Sequence, residues 1–588
     1  GKVLFKDYEY KGNILGQNAV SNLLIERRKD NGFGFYDTCT ESFKGEITET
    51  KVLQSGPYVA SFRIEGIHKS EISDRKNIPF IVYMQVAKDV PDIKFTYTFL
   101  YDGKEEEDFL KGIGMSFDVP ISGALYNRHV KFGSDNGYFH EAGALLLSWR
   151  PRVPGEIYHA QIAGEFLNPT EETRESVFEK VAENVPVWDE YVQWQDSSEH
   201  FVIRKKTEKE NTCYIEGLHG NRAKGVCALG GEKGGMAISL RDFWQKYPST
   251  FRFTGLTGET ATASVWLWSP EQEAMDFRHY TDTGYSQTYY EGFDEFGASA
   301  YGIASTSEFS IRGFCGEILK DEELDEFCRE TQKPAVYTQG PEDLHEIKAF
   351  GYWSLPDVST PSKKYLEDCL ESLVDFYKEE VEVRKWYGLF NYGDVMHTYD
   401  KERHYWRYDM GGYAWQNTEL VPTLWLWFMF LRTGREDIFS LAEAMTRHCS
   451  EVDVYHFGPL KGLGSRHNVR HWGCPCKEAR IAMAGHHRFL YYFTGDNRLG
   501  DVFEDVRDAD YSTVYMDPLR FFFDKEKQVY PTHARSGPDW SSFNSNWMTE
   551  WERKGDEAYK HKIETGIEDL KNTKLKLASG SDFEYDPE

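Results

Sequence analysis

The chain has no long apolar run. The longest, Leu420 to Leu431, is shorter than the roughly 20 residues that a helix needs to cross a bilayer, so no membrane partner is expected. Cysteine is sparse and scattered. Of nine, only Cys474 and Cys476 are close, which fits neither a zinc-ligand spacing nor a disulfide framework. The odd count leans towards a reducing compartment and, with no signal-like start, the expected location is cytoplasmic. The chain opens at Gly1 rather than Met, which reads as a processed or trimmed start. Basic residues are in deficit, 68 Lys and Arg against 96 Asp and Glu, a formal charge of -28. That balance argues against nucleic acid as a partner, because binding a phosphate backbone requires a basic surface. It leaves room for a local cationic pocket that receives an acidic ligand.

Aromatic residues, by contrast, are abundant: 16 Trp, 36 Tyr and 39 Phe. Most belong to cores and sheet faces; rings that stack on sugars require clustering in loops. One stretch has that clustering. His397 to Glu419, HTYDKERHYWRYDMGGYAWQNTE, holds two His, three Arg or Lys and six aromatic residues, then runs straight into LVPTLWLWFMFL. Loops this long inside compact domains are uncommon and are usually functional or disordered. Disordered segments are poor in aromatics, so this one reads as ordered and functional.

At 588 residues the chain is too long for a single core. Residues 1–285 read as β. Alternating runs at Tyr58–Ile64, Phe80–Val86, Ile93–Phe99, Met236–Leu240 and Thr262–Trp268 are punctuated by Gly, Asp, Asn and Pro. This is the pattern of a large antiparallel β-sandwich, supersandwich-like in extent. Polar-aromatic clusters at Arg241–Pro248 and Asp276–Tyr280 are either sheet-edge loops or substrate contacts. Residues 286–355 are transitional, and 356–588 read as helical. Thr360-Pro361 is an N-cap followed by Pro at the first helical position, and Leu366, Leu370, Leu373, Val374 and Tyr377 then share one face. Gly434, Gly495 and Gly555 each close an apolar helical run, 61 and then 60 residues apart. Gly just past a helix end is the usual left-handed cap. The period suits helical hairpins arranged as an α/α toroid, an incomplete barrel in which each unit carries one long loop.

Those loops fall on the side of the repeat opposite the glycine turns. The first is His397–Glu419, the second runs from Val452 to Cys476, and the third from about Ser512 to Trp540. Three equivalent loops at one rim make a concave polar site. They offer His397, His404, Arg407, Tyr408, Asp409 and Tyr413; then Asp453, Tyr455, His456, Arg466, His467, Arg470 and His471; then His533, Arg535 and Asp539. A mixture of Arg, His and Tyr suits β-elimination from a uronic acid. Arg neutralises the carboxylate and so acidifies the neighbouring C5 proton, a His or Tyr removes it, and a phenol or imidazolium protonates the leaving oxygen. Trp406, Trp415, Trp472 and Trp540 are candidates to carry sugar rings. Competing readings are a glycoside hydrolase with paired carboxylates among Asp409, Glu419, Asp453 and Asp539, a metal site built on Asp453, His456, His467 and His471, and a sugar-binding protein without catalysis. His448 reads as a satisfied core histidine and His486-His487 as facing neighbouring helices. Asp394, Asn417 and Glu419 also read as helix caps.

The runs WYGLFNYGDVMHTYD, RHYWRYDMGGYAWQNTE, TGREDIFSLAEAMTRHCSEVDVYHFG and GSRHNVRHWGC resemble the exo-rhamnogalacturonan lyases of polysaccharide lyase family 26, which include the YetA-like proteins. RDFWQKYP, VWLWSPEQEAMDFRHY, TYYEGFDEFGASAYGIASTSE and HARSGPDWSSFNSNWMTEWER fit the same family, so the matched segments span about 240 to 553. The resemblance implies a β-sandwich followed by an α/α toroid. It also implies β-elimination at galacturonosyl residues of the rhamnose–galacturonate backbone of pectin, and it allows a further β domain beyond Glu588. The expected roles are carboxylate binding by Arg407, Arg466 or Arg470, proton removal by His467 or His471, and proton donation by Tyr408 or Tyr413. His397, His404, Trp406, Asp409, Trp415, Asn417, Asp453, Tyr455, His456, Trp472, His533, Arg535 and Trp540 are expected around the substrate. No cofactor and no metal are expected, and the partner is an acidic oligosaccharide or polysaccharide.

Overall fold

A computed structural model describes residues 1–146, 155–168, 184–209, 212–278, 299–579 and 582–588. His279 and Tyr280 of the second polar-aromatic cluster, 281–285 at the end of the β region and 286–298 of the transitional segment lie outside them. The described residues form two units. The first comprises Gly1–Phe99, Glu106–Asp276 and Ser307–Ala335, the second Leu100–Glu105, Phe277–Thr306 and Val336–Glu588.

The first unit is built on a 17-stranded sheet, antiparallel wherever register is defined. Alternation in sequence becomes alternation in space. Along Asp92–Leu100, Ile93, Phe95 and Tyr97 are buried, as a period of two requires when one face meets the core. Phe95 stacks on Phe309 with ring centroids 4.7 Å apart. The sheet also recruits Ala304–Phe314, whose Phe309–Phe314 pair with Gly235–Leu240. The β architecture therefore extends past 285 into the segment read as transitional. A surface hollow of about 700 Å³ lined by Asn13, Gln17, Arg128, Lys233 and Glu259 lies in this unit. Its arginine is spent on the Gly123, Leu256 and Gly258 carbonyls.

The second unit is helical. Pro422–Thr433 and Glu436–Glu451, Ala484–Thr494 and Asn497–Val506, and Pro538–Lys554 and Glu557–Asn572 form successive hairpins. Each turns over a glycine in the left-handed region: Gly434 at φ 65°, Gly495 at 68° and Gly555 at 68°. Each glycine N–H donates to the carbonyl four residues back, Phe430, Tyr491 and Trp551, at 2.7 Å. The 60-residue rhythm is thus a rhythm of C-caps. Trp427, Phe430, Phe439, Phe489 and Leu499 fill the core between the first two hairpins, and the Trp427 indole N–H donates to Thr446 Oγ1 at 2.9 Å.

Helix Pro361–Arg384 starts as expected, with Thr360 Oγ1 accepting from Lys363 N at 3.3 Å. Its apolar face is narrower than the periodicity implied. Val374 is buried, whereas Leu366 and Leu373 are 62% and 47% exposed. The helix meets the core along the seam of Leu370, Val374 and Tyr377, and the Leu366–Leu373 pair, seven residues apart, falls off its edge.

Candidate active site

The backbone joins the first loop to the second. Gly412 N donates to the His467 carbonyl at 3.2 Å and Trp415 N to that of Asn468 at 3.3 Å, while Asn417 Nδ2 reaches the Ser465 carbonyl at 3.1 Å. Asn417 also accepts from Glu419 N, capping the short turn Thr418–Leu420 and aiming Glu419 at the second loop. His397 and His467 come together as a stacked pair with centroids 4.8 Å apart.

From this pair a ladder of alternating charge crosses all three loops. Glu419 Oε2 lies 3.5 Å from His467 Nδ1 and 3.2 Å from Arg466 Nε, and Glu419 Oε1 lies 3.1 Å from Arg480 Nη2. Arg480 pairs with Glu478, Glu478 with Arg535 at 3.3 Å, and Arg535 grips Asp539 with two hydrogen bonds of 2.7 and 2.9 Å. Burial pushes the Glu419 carboxyl upward, but the neighbouring His467 and the Arg466 and Arg480 charges outweigh it and hold it at about 2. These partners favour the carboxylate form of Glu419. His397, half-buried and next to His467, is pushed down by burial and then by that neighbour; its Nδ1 meets Thr398 Oγ1 at 2.6 Å.

The exposed edge of the first loop carries Tyr405, Tyr408 and Tyr413 at 46%, 52% and 38% exposure. The Arg407 guanidinium lies over the Tyr413 ring at 4.9 Å. Arg407 Nε is 3.5 Å from Asp400, a carboxylate already held by Arg403, and that nitrogen is buried without a hydrogen-bond partner.

Other expected residues lie elsewhere. His471 and Asp453 sit in a buried cluster with Asp394 and His448, so neither is open to a substrate. Burial pushes His471 down to about 4 and Asp453 up to about 7. Burial would also lower His448, but the Asp453 and Asp394 carboxylates hold it up, to about 10. The reading of His448 as a satisfied core histidine is corrected: it is buried, and neither ring nitrogen has a hydrogen-bond partner.

Trp406, Trp415 and Trp472 are 5%, 8% and 1% exposed, so they are core rings and not sugar platforms. Trp406 donates to Glu380 and Trp472 to the Phe277 carbonyl. The Trp540 ring packs against Gly566 of helix Glu557–Asn572. Tyr455 is fully buried and donates to the Ser299 carbonyl. His456 binds Asp505 and His533 binds Asp517. Asp409 is engaged by Arg403, Arg470 lies over the Trp472 ring, and His404 is exposed, with a left-handed backbone. Glu478 and Arg480, which the sequence reading passed over, were signalled only by a charged pair immediately before an apolar helix.

The model of a PcRGLX-like protein central β-sandwich domain matches residues 1–328, and that of a PcRGLX-like protein C-terminal α/α toroid domain matches residues 334–588. The chain is 48% identical over 541 residues to a Bacillus subtilis protein named Uncharacterized protein YetA, covering 92% of this chain and 62% of that protein's length. Among solved structures, the GH36 α-galactosidase AgaA of Geobacillus stearothermophilus aligns with a TM-score of 0.23 at 7% identity, over 55% of this chain and 33% of its own. A putative aldose 1-epimerase of Escherichia coli aligns with a TM-score of 0.19 at 11% identity, over 54% and 81%. Likeness at that level carries no argument.

Proposed function

Since the chain belongs to the PcRGLX-like protein family, we propose that it is a polysaccharide lyase that cleaves rhamnogalacturonan by β-elimination at galacturonosyl residues, working from a chain end. Family membership supports a carbohydrate-active enzyme with a polysaccharide substrate. The observation that carries the finer reading is the ladder of charge ending on His467, with the Glu419 carboxylate 3.5 Å from its Nδ1. A carboxylate there favours the tautomer with the proton on Nδ1 and leaves Nε2 with a lone pair for proton abstraction.

In this reading Arg407 meets the substrate carboxylate, because its guanidinium keeps hydrogen-bonding capacity that Arg466, Arg480 and Arg535 have spent on Glu419, Glu478 and Asp539. Neutralising that carboxylate stabilises charge developing beside C5. His467 Nε2 takes the C5 proton, the C5–H electron pair forms the C4–C5 double bond, and the C4–O bond breaks. Tyr413, beneath Arg407, gives its phenolic proton to the departing oxygen, and His467 later returns a proton to the phenolate through solvent. Exposed Tyr405 and Tyr408 take the sugar-facing role first assigned to the tryptophans. The paired-carboxylate hydrolase is disfavoured because Asp453 is buried and Asp409 is held by Arg403.

The test is His467→Ala. Loss of a general base should lower turnover of rhamnogalacturonan oligosaccharides by about 10²–10⁴-fold, with affinity by calorimetry kept within about tenfold, or about 1.4 kcal/mol. Near-normal turnover would remove His467 from the reaction.

A further inference from the structure

The elimination makes no use of the four buried side chains of Asp394, His448, Asp453 and His471. His448 Nε2 lies 3.4 Å from Asp394 Oδ2 and 3.5 Å from Asp453 Oδ1; His471 Nδ1 lies 3.4 and 3.9 Å from the same two oxygens. The four side chains are between 0% and 3% exposed. Asp394 Oδ2, Asp453 Oδ2, both His448 nitrogens and His471 Nδ1 are buried without a hydrogen-bond partner. Buried polar atoms left unpaired are costly, so the three that converge, Asp394 Oδ2, His448 Nε2 and His471 Nδ1, need a common explanation.

The tautomer of His471 supplies one. Its Nε2 is 3.0 Å from Asn391 Oδ1, an oxygen that can only accept, so the proton sits on Nε2 and the lone pair on Nδ1. That lone pair faces an Asp394 carboxylate oxygen at 3.4 Å. Two electron-rich atoms hold such a position when a positive centre lies between them. The spacings also suit a cation. Metal–ligand bonds of about 2.0–2.2 Å in a tetrahedron put the ligands roughly 3.3–3.6 Å apart, and Asp394 Oδ2 lies 3.4 Å from each of the two histidine nitrogens. The Nε2–H of His471 bound to an amide oxygen is the outer contact that orients a metal-bound imidazole.

We propose that Asp394 Oδ2, His448 Nε2 and His471 Nδ1 hold a structural divalent cation of the zinc type. Two imidazoles and a carboxylate favour Zn²⁺ over Mg²⁺ or Ca²⁺, which take oxygen alone. Three protein ligands with no exposed face, beside the buried Asp453 carboxylate, describe a structural site. The ion ties the residue ahead of the first loop to the last turn of helix Glu436–Glu451 and to the far end of the second loop, fixing the frame that carries His467. The inference does not depend on which sugar the enzyme cleaves. It reverses the expectation of no metal, because the ligands come from separate places in the chain and form no compact motif.

The test is metal content by mass spectrometry on full-length protein grown with zinc, followed by stripping in chelator under mild denaturant and refilling with Zn²⁺ or Co²⁺ alone. The expected results are one equivalent of metal per chain, visible d–d absorption of tetrahedral Co²⁺, and a Tm about 5 °C or more lower after stripping. Asp394→Asn keeps shape and volume and should lose the Co²⁺ absorption with an unchanged circular dichroism spectrum; His448→Ala should lose it too. Substoichiometric metal and no Co²⁺ uptake overturn the proposal and leave a proton-sharing Asp–His–Asp network. Metal retained in both variants lies elsewhere and overturns it equally.

Discussion

Glu419 is the side chain on which the residue-scale account turns, and its charge can be tested through stability. Its carboxyl ordinarily titrates near 4.5 and in the fold sits at about 2. A depressed acid stabilises the fold fully above its unfolded value, and that contribution is lost as pH falls from about 4.5 towards 2. The Tm advantage of the wild type over Glu419→Gln should therefore be constant from pH 7 to 5 and shrink steadily from pH 5 to 3. A gap that does not vary with pH would show that the carboxylate's charge contributes nothing. For Arg407, replacement by Lys removes the bidentate fork but keeps the charge; kcat/KM should fall by about 10- to 100-fold, an outcome read from initial rates. At this scale the sequence was only partly legible. His467 and His471 are four residues apart in similar surroundings, and nothing in composition says that one meets Glu419 while the other is buried with Asp394. The tryptophans failed as sugar platforms for a related reason: an aromatic-rich loop declares its rings but not which of them its own core consumes.

Among the elements, the glycine caps were the most legible feature and the easiest to challenge. Gly495 and Gly555 have positive φ and open space around a notional Cβ, so alanine there meets only backbone strain. Each Gly→Ala change should cost about 1–2 kcal/mol, measurable by denaturant unfolding, and should leave catalysis unchanged. Thr360→Ala should cost about 1 kcal/mol by removing the N-cap of Pro361–Arg384. Caps are readable because local backbone geometry dictates the residue type. The width of a buried helix face is not, because it depends on partners distant in sequence, as exposed Leu366 and Leu373 show.

On the scale of the whole molecule, the division into a β-sandwich and an α/α toroid followed from the period of the apolar pattern, two in the first half and 3.6 in the second. So did the idea that three loops act together, since one repeat places their roots alike. What the repeat could not disclose was the wiring between loops, because Glu478 and Arg480 stand just outside the stretches that drew notice and Asp394 reads in sequence as a helix cap. The account's central claim is that this wiring serves elimination. It is tested most directly by incubating the protein with rhamnogalacturonan oligosaccharides and following near-ultraviolet absorbance alongside reducing ends. Elimination leaves a C4–C5 double bond conjugated with the uronate carboxyl, so absorbance should rise in proportion to the ends released. Reducing ends without that absorbance would contradict the account.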